Sequence, residues 1–297
     1  MSGPTDVKPA LTDPQEESIG PRDLTHWRTR LGAWLVGLVN HVIGAYARWT
    51  LAVIAGVGAL AAVLTTALAA QVYESVTDEG ELAGLDQPIL EYAVGTRTPF
   101  LERALTTFTD IGGPVGMPIL ATLAVAVMVW RWRSRTPLVL ALVAAAGSLT
   151  MTTVGKRLIG RSRPPRELAV PPFENSPSFP SGHTLNATVI IGVLVYVWLL
   201  HLTTARARTW AIVVGAFFVL SMGLSRVYLG HHWLTDVVAG WLIGLGWLAT
   251  VVTAHRLHLT VRRRRALGRV GPDAKATTRH TGSAPAEQRP HVEPSGQ

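Results

Sequence analysis

An all-α membrane bundle of six transmembrane helices is the fold this sequence predicts, and three observations predict it. Only 15% of the residues are charged while 48% are apolar, against about 25% charged in soluble domains. The apolar residues gather in uncharged runs, several near the ~20 residues that cross a bilayer. The basic residues sit in short segments beside those runs, as in Arg131-Trp132-Arg133-Ser134-Arg135 and Arg262 to Arg265. Membrane topology therefore accounts for the net charge of +8 better than a nucleic-acid partner does. The chain has no cysteine, which excludes disulfides, zinc–thiolate sites and thiol nucleophiles.

The elements follow in order. Residues 1–25 are polar, carry Pro4, Pro9, Pro14 and Pro21, and read as a disordered tail rather than a signal peptide. A membrane domain is expected over 26–255. Residues 31–46 are apolar but short and contain Asn40 and His41, which suits an interfacial helix. The first span is Leu51 to about Ala70. An acidic stretch follows (Glu74, Asp78, Glu79, Glu81, Asp86), then two amphipathic segments at 86–94 and 99–110. The second span, 112–130, follows a Gly-Gly-Pro break and stops at the arginine cluster. Further uncharged runs give spans over 137–155, 185–202, 210–224 and 237–254. Residues 256–297 read as a basic, disordered cytoplasmic tail.

Orientation follows from lysine and arginine in the short loops. Arg28, Arg30 and Arg48, the 131–135 loop, Arg206 with Arg208, and Arg256 with Arg262–Arg265 fall on one side if there are six spans. That side is the cytoplasm, with both termini there. The connection 156–166 breaks the pattern: it carries Lys156, Arg157, Arg161, Arg163 and Arg166 on the outer side. An anionic substrate is the natural reason for charge in that place.

Three clusters at span ends carry the chemistry: Lys156 with Arg163-Pro164; Pro180-Ser181-Gly182-His183; and Ser225-Arg226 followed by His232 and Asp236. Charge so close to hydrocarbon is costly and usually functional. Lysine, arginine and histidine together suit a phosphate. The same parity of spans brings all three clusters to the outer face. His232 and Asp236 are four residues apart and share a helix face. Asp236 can then hold one imidazole nitrogen and leave the other free.

The spacing Lys-x6-Arg-Pro, Pro-Ser-Gly-His, Ser-Arg-x5-His-x3-Asp resembles the type 2 phosphatidic acid phosphatase (PAP2) superfamily, over roughly residues 86–254. The resemblance implies a haloperoxidase-like helical core. It implies a membrane phosphatase acting on a lipid phosphate or pyrophosphate of the undecaprenyl pyrophosphate or phosphatidic acid type. In its terms His232 attacks phosphorus to form a phosphohistidine and Asp236 orients it, while His183 is the general acid. Lys156, Arg163 and Arg226, with Ser181 and Gly182, bind the phosphate. Neither metal nor cofactor is expected, since the cations fill the role of Mg²⁺.

Bland readings stand beside these. Arg157, Arg161 and Arg166 read as anchors, His231 as an interfacial histidine, and Tyr228 and Trp233 as belt aromatics. Asn186 reads as a helix cap in preference to a substrate contact, and Gly240, Gly244 and Gly246 as helix-packing positions. A phosphotransferase of the same fold is left open by the motifs. A non-catalytic lipid-phosphate binder or transporter is the rival from another class.

Overall fold

The computed structural model describes residues 18–19, 22–23, 48–78 and 80–270, with side chains over 51–78 and 80–262. Apart from a two-residue antiparallel pairing of Ser18–Ile19 with Arg22–Asp23, its regular structure is helical: α1 (Arg48–Thr77), α2 (Asp86–Gly95), α3 (Pro99–Ile111), α4 (Gly116–Trp132), α5 (Thr136–Ile159), α6 (Gly182–His201), α7 (Ala205–Tyr228) and α8 (Leu234–Val270). The expected interfacial helix at 31–46, nearly all of the 1–25 tail, and residues 271–297 lie outside the described residues.

Five helices are long and apolar enough to cross a membrane, and α3 with α4 makes a sixth candidate bent by 54°. The all-helical, multi-pass reading therefore stands, with two corrections. Over the expected second span, 112–130, the helix starts only at Gly116 and joins α3 at a 54° bend. α4 has 17 residues, about 25 Å at 1.5 Å per residue and short of the ~30 Å hydrocarbon core, and it counts as a candidate span only together with α3. The last helix does not give way to a tail at 256, because its backbone hydrogen bonding continues to Val270.

Side chains explain the packing. α6 is the central helix: 56% of its apolar window is buried, against 11% for α1. Leu185, Val189, Val193 and Val197 recur every fourth residue and are each at most 1% exposed. Glycines of α8 let its neighbours come close. A Cβ on Gly240 or Gly244 would meet Thr184 and Thr188 of α6 at 3.0 and 2.8 Å, and one on Gly246 would meet Thr65 of α1 at 2.5 Å. The outer faces of α1, α4, α5 and α7 expose Leu60, Val63, Leu123, Val127, Leu142, Leu149, Val214 and Phe217. In a bilayer that surface meets acyl chains rather than water, so it carries no penalty.

Local signals set the ends. Thr98 caps α3 by accepting from Leu101 N (3.3 Å), with Pro99 as first helical residue. Thr204 caps α7 by accepting from Ala207 N (3.2 Å). Gly160, at φ 64°, ends α5 as its left-handed cap. Gly230, at φ 73°, makes the turn from α7 to α8, where a Cβ would lie 2.3 Å from Leu168 O. Gly230→Ala combines a left-handed alanine with that clash. It is expected to cost at least about 1–3 kcal/mol, read as a lowered Tm in detergent; an unchanged Tm would contradict this account of the turn.

Candidate active site

The three sequence clusters meet at one end of the bundle, beneath the 160–181 connection between α5 and α6. One backbone bond closes that connection on itself and a second ties it to the turn after α7. Ser178 N donates to Arg161 O (2.8 Å), and Val170 N donates to Leu229 O (2.9 Å). The carbonyl of Asp236 accepts from Ser181 N (3.1 Å), joining the start of α6 to the start of α8.

Asp236 is the third residue of α8 and has no exposed side-chain surface. Its Oδ2 accepts from the backbone N of Trp233 (3.0 Å), the reach-back of a capping box. The same oxygen accepts from the Ser178 hydroxyl and faces His232 Nδ1 at 3.3 Å. Ser178 has spent its one hydrogen on Asp236, so its 3.3 Å contact with His232 Nδ1 requires the proton on that nitrogen. The lone pair is then on His232 Nε2, which lies 3.2 Å from Arg163 Nη1. Burial, followed by Arg163 and Arg226, holds the His232 imidazole well below its ordinary pKa and therefore neutral.

The cations converge on a carboxylate. Arg163 Nη2 donates to Glu174 Oε2 (2.7 Å), and Arg226, only 2% exposed, donates to Glu174 Oε1. His183 Nδ1 stands 3.8 Å from the same oxygen and His231 Nδ1 4.0 Å from it. Arg163 also donates to His231 O and Ser176 O, at 2.6 and 2.7 Å. Arg226 reaches Thr109 Oγ1 (3.1 Å), while its Nε has no hydrogen-bond partner among the described residues. Lys156 Nζ donates to Pro177 O and, at 3.2 Å, to Ser176 Oγ. Burial pushes the Glu174 carboxyl up, but Arg226 and Arg163, then His232 and His183, pull it further down, to about 2. Glu174 is thus a fixed anion in a cradle of cations.

The remaining motif residues take different places. Ser181 is fully buried and accepts from Thr184 Oγ1 at 3.0 Å. A Cβ on Gly182 would meet Thr152 at 3.0 Å, so this glycine serves the close approach of α6 to α5. His183 stands opposite Gly113, whose missing side chain leaves room for its Nε2.

Several expectations need correction. Asn186 caps nothing, because α6 starts at Gly182; it lines a cavity instead. His231 is buried, not interfacial: its Nε2 donates to Val170 O (2.6 Å), and burial, then Arg226, lowers its pKa to about 4. Arg161 is no surface anchor, since it bridges Asp86 (2.8 Å) and Asp236 (2.7 Å). Arg157 is exposed, and Arg166 braces the connection through Asn175 (2.6 Å). Trp233 Nε1 donates to Ser162 O (3.0 Å) and Tyr228 to Thr96 O (3.1 Å), so both tie loops to the bundle. Sequence reasoning missed Glu174, Ser178 and Asp86. Only Glu174 offered a hint, as an acid in the basic outer connection.

A cavity of about 880 Å³ opens from this cradle. Lys156, Glu174 and His183 line one end, and Met117, Val125, Val129 and Trp130 of α4 with Leu142 and Leu149 of α5 line the rest. From Met117 to Trp130 the helix rises about 20 Å, beyond the ~15 Å half-thickness of the hydrocarbon core.

The family model described as the PAP2 superfamily matches residues 137–259. Phosphatidylglycerophosphatase B of Bacillus subtilis (strain 168) is 32% identical over 161 residues, 54% of this chain and 78% of that protein. An undecaprenyl-diphosphatase of Sulfolobus acidocaldarius is 39% identical over 72 residues, 24% of this chain and 30% of that protein. The crystal structure of a transmembrane PAP2-type phosphatidylglycerolphosphate phosphatase from Bacillus subtilis superposes with a TM-score of 0.59 at 27% identity, covering 64% of this chain and 94% of that one.

An anion entering the cradle must displace Glu174. With its carboxyl titrating at about 2, Glu174 stays charged from pH 4 upward, and acidification over that range does not release it. Glu174→Gln is expected to tighten inorganic phosphate or vanadate binding about tenfold or more, roughly 1.4 kcal/mol, read by calorimetry at pH 7. Weaker binding by the variant would mean that Glu174 is not a competitor for the site.

Proposed function

The chain belongs to the PAP2 superfamily, and from that membership we propose that it hydrolyses the terminal phosphate of a membrane lipid phosphate or pyrophosphate through a phosphohistidine. One observation carries the reading: Lys156, Glu174 and His183 of the cradle line the same cavity as the apolar faces of α4 and α5. A phosphate head group fits the first and a lipid tail the second. Phosphatidylglycerol phosphate and undecaprenyl pyrophosphate are the substrate types to test first, from the names of the similar proteins.

In this reading the phosphoryl group takes the place of Glu174. Arg163, Arg226 and Lys156 neutralise its equatorial oxygens, where positioning and electrostatics supply most of the acceleration in phosphoryl transfer. His232 attacks phosphorus through Nε2. The P–O bond to the lipid breaks as the P–N bond forms, and the leaving oxygen takes a proton from His183. That histidine stands 3.8 Å from Glu174 and lines the same cavity, beside the place of the bridging oxygen if the tail occupies the cavity. Now neutral, His183 takes a proton from water as the water oxygen attacks phosphorus, which frees inorganic phosphate and His232.

The carboxylates beside the cradle are engaged with guanidinium groups, Glu174 with Arg163 and Arg226, and Asp236 with Arg161. That donor set suits a metal-independent reaction. Placing both termini in the cytoplasm and the site on the outer face rests on the arginine-rich loops at the opposite end of the spans.

Purified protein is expected to release phosphate from phosphatidylglycerol phosphate or undecaprenyl pyrophosphate in detergent micelles with EDTA present. His232→Ala should lower turnover by about 10⁴-fold or more, on the scale of losing an enzymatic nucleophile. Substantial turnover in that variant would end the phosphohistidine mechanism, and loss of wild-type turnover in EDTA would end metal independence. Because the chain has no cysteine, single replacements report topology cleanly. Glu167→Cys should react with an impermeant maleimide in intact cells, and Ala205→Cys only after permeabilisation; the reverse pattern would turn the site inward.

A further inference from the structure

We propose that Asp86 and Arg161 are positioning residues that hold Asp236 against His232 without cancelling its charge. The inference rests on His232 being the attacking group. Arg161 does not reach the phosphate cradle. Its Nη1 donates to Asp236 Oδ1 (2.7 Å) and Thr235 Oγ1 (2.8 Å), and its Nη2 to Asp86 Oδ2 (2.8 Å). Both carboxylates are nearly sealed from water, with Asp86 4% exposed and Asp236 0%. Asp86 comes from the start of α2, Arg161 from the connection after α5, and Asp236 from the start of α8. Three separate elements are therefore locked at one point.

Asp86 does two things in this cluster. Its Oδ1 accepts from Thr235 N (2.9 Å), so it caps α8 from another helix. Its Oδ2 accepts from the Thr235 hydroxyl (2.6 Å) and from Arg161. The cap fixes the turn of helix from which Asp236 projects. The ion pair settles the charge. Asp236 and Arg161 alone would sum to zero beside the imidazole. With Asp86 the trio carries one net negative charge, and Arg161 is shared between two carboxylates. When His232 bonds to phosphorus through Nε2, its ring becomes a cation with its proton on Nδ1, and a net negative partner stabilises that cation where a neutral one does not. Buried charges held by complementary partners on every side are costly to disturb singly.

The test uses full-length protein in detergent micelles, with whichever of phosphatidylglycerol phosphate and undecaprenyl pyrophosphate the wild type turns over faster. Asp86→Asn and Arg161→Ala are expected to lower kcat by about 10- to 100-fold, the range for partners that orient a reacting group, with KM within about twofold. Arg161→Lys should recover part of the loss. The Asp86→Asn/Arg161→Ala double variant should be no slower than Arg161→Ala alone, because the two act as a unit. Should Arg161→Ala aggregate on gel filtration, the near-isosteric Asp86→Asn and the Lys variant carry the test. Unchanged kcat in both of those, or a loss falling wholly in KM, overturns the proposal. Substantial turnover by His232→Ala in the same assay would instead remove the reading on which it stands.

Discussion

The carboxylate of Asp236 is the constraint on which this end of the protein depends. It closes the first turn of α8 through Trp233 N, fixes the tautomer of His232 with Ser178, and receives Arg161. Its own backbone carbonyl accepts from the start of α6. A carboxylate with no access to water is tolerated only when its lone pairs are filled and its charge is met. Here the groups that fill them come from the α5–α6 connection and from α8 itself. The same requirement that keeps a buried charge tolerable therefore assembles the loops around it.

A second balance is struck over the cradle. Arg163 and Arg226, close together and poorly hydrated, repel one another unless an anion lies between them. Glu174 supplies that anion from the connection. Its position at the mouth of an apolar cavity gives the connection two roles in one residue. It neutralises the resting cradle, and on the proposed function it is the group that a phosphate must displace. On the proposed function, a dianion would displace Glu174 more readily than a monoanion because it brings more charge to the same donors.

Much of this was legible in the sequence, and what was not has a physical reason. Spans register as uninterrupted apolar length, so the five long apolar helices were readable directly. The bend between α3 and α4 was not, because residues on the two sides of the 112–115 break read differently, amphipathic before it and uniformly apolar after it. The three motifs were readable because each sits beside a span end, where charge is conspicuous. Arg161 looked the same as Arg157 and Arg166 by that criterion. What separates it is contact with Asp86 and Asp236, each 75 residues away along the chain, and composition carries no signal of such distance. Ser178 and Glu174 lie on irregular backbone, where no periodicity states which way a side chain points. His231 was misread for the opposite reason: it lies beside the motif histidine, and the Gly230 turn sends it under the connection rather than to the interface.

The bundle divides into a tight half and an open one, and the division follows from residue size. Along α8, Gly240 and Gly244 bring α6 to within contact of Thr184 and Thr188, and that seam carries His232 and Asp236 at its end. A reacting nitrogen held this way has little freedom to drift, and in phosphoryl transfer positioning is most of what a protein contributes. Across α4 and α5 the facing residues are Val125, Val129, Leu142 and Leu149, and they leave the cavity between them. α4 is too short to seal that side and joins α3 at an angle. On the proposed function, a lipid tail has its space on the side away from His232. On the same reading, lateral entry between α4 and α5 would leave the α6–α8 seam intact, so admission of substrate and rigidity of His232 would not compete.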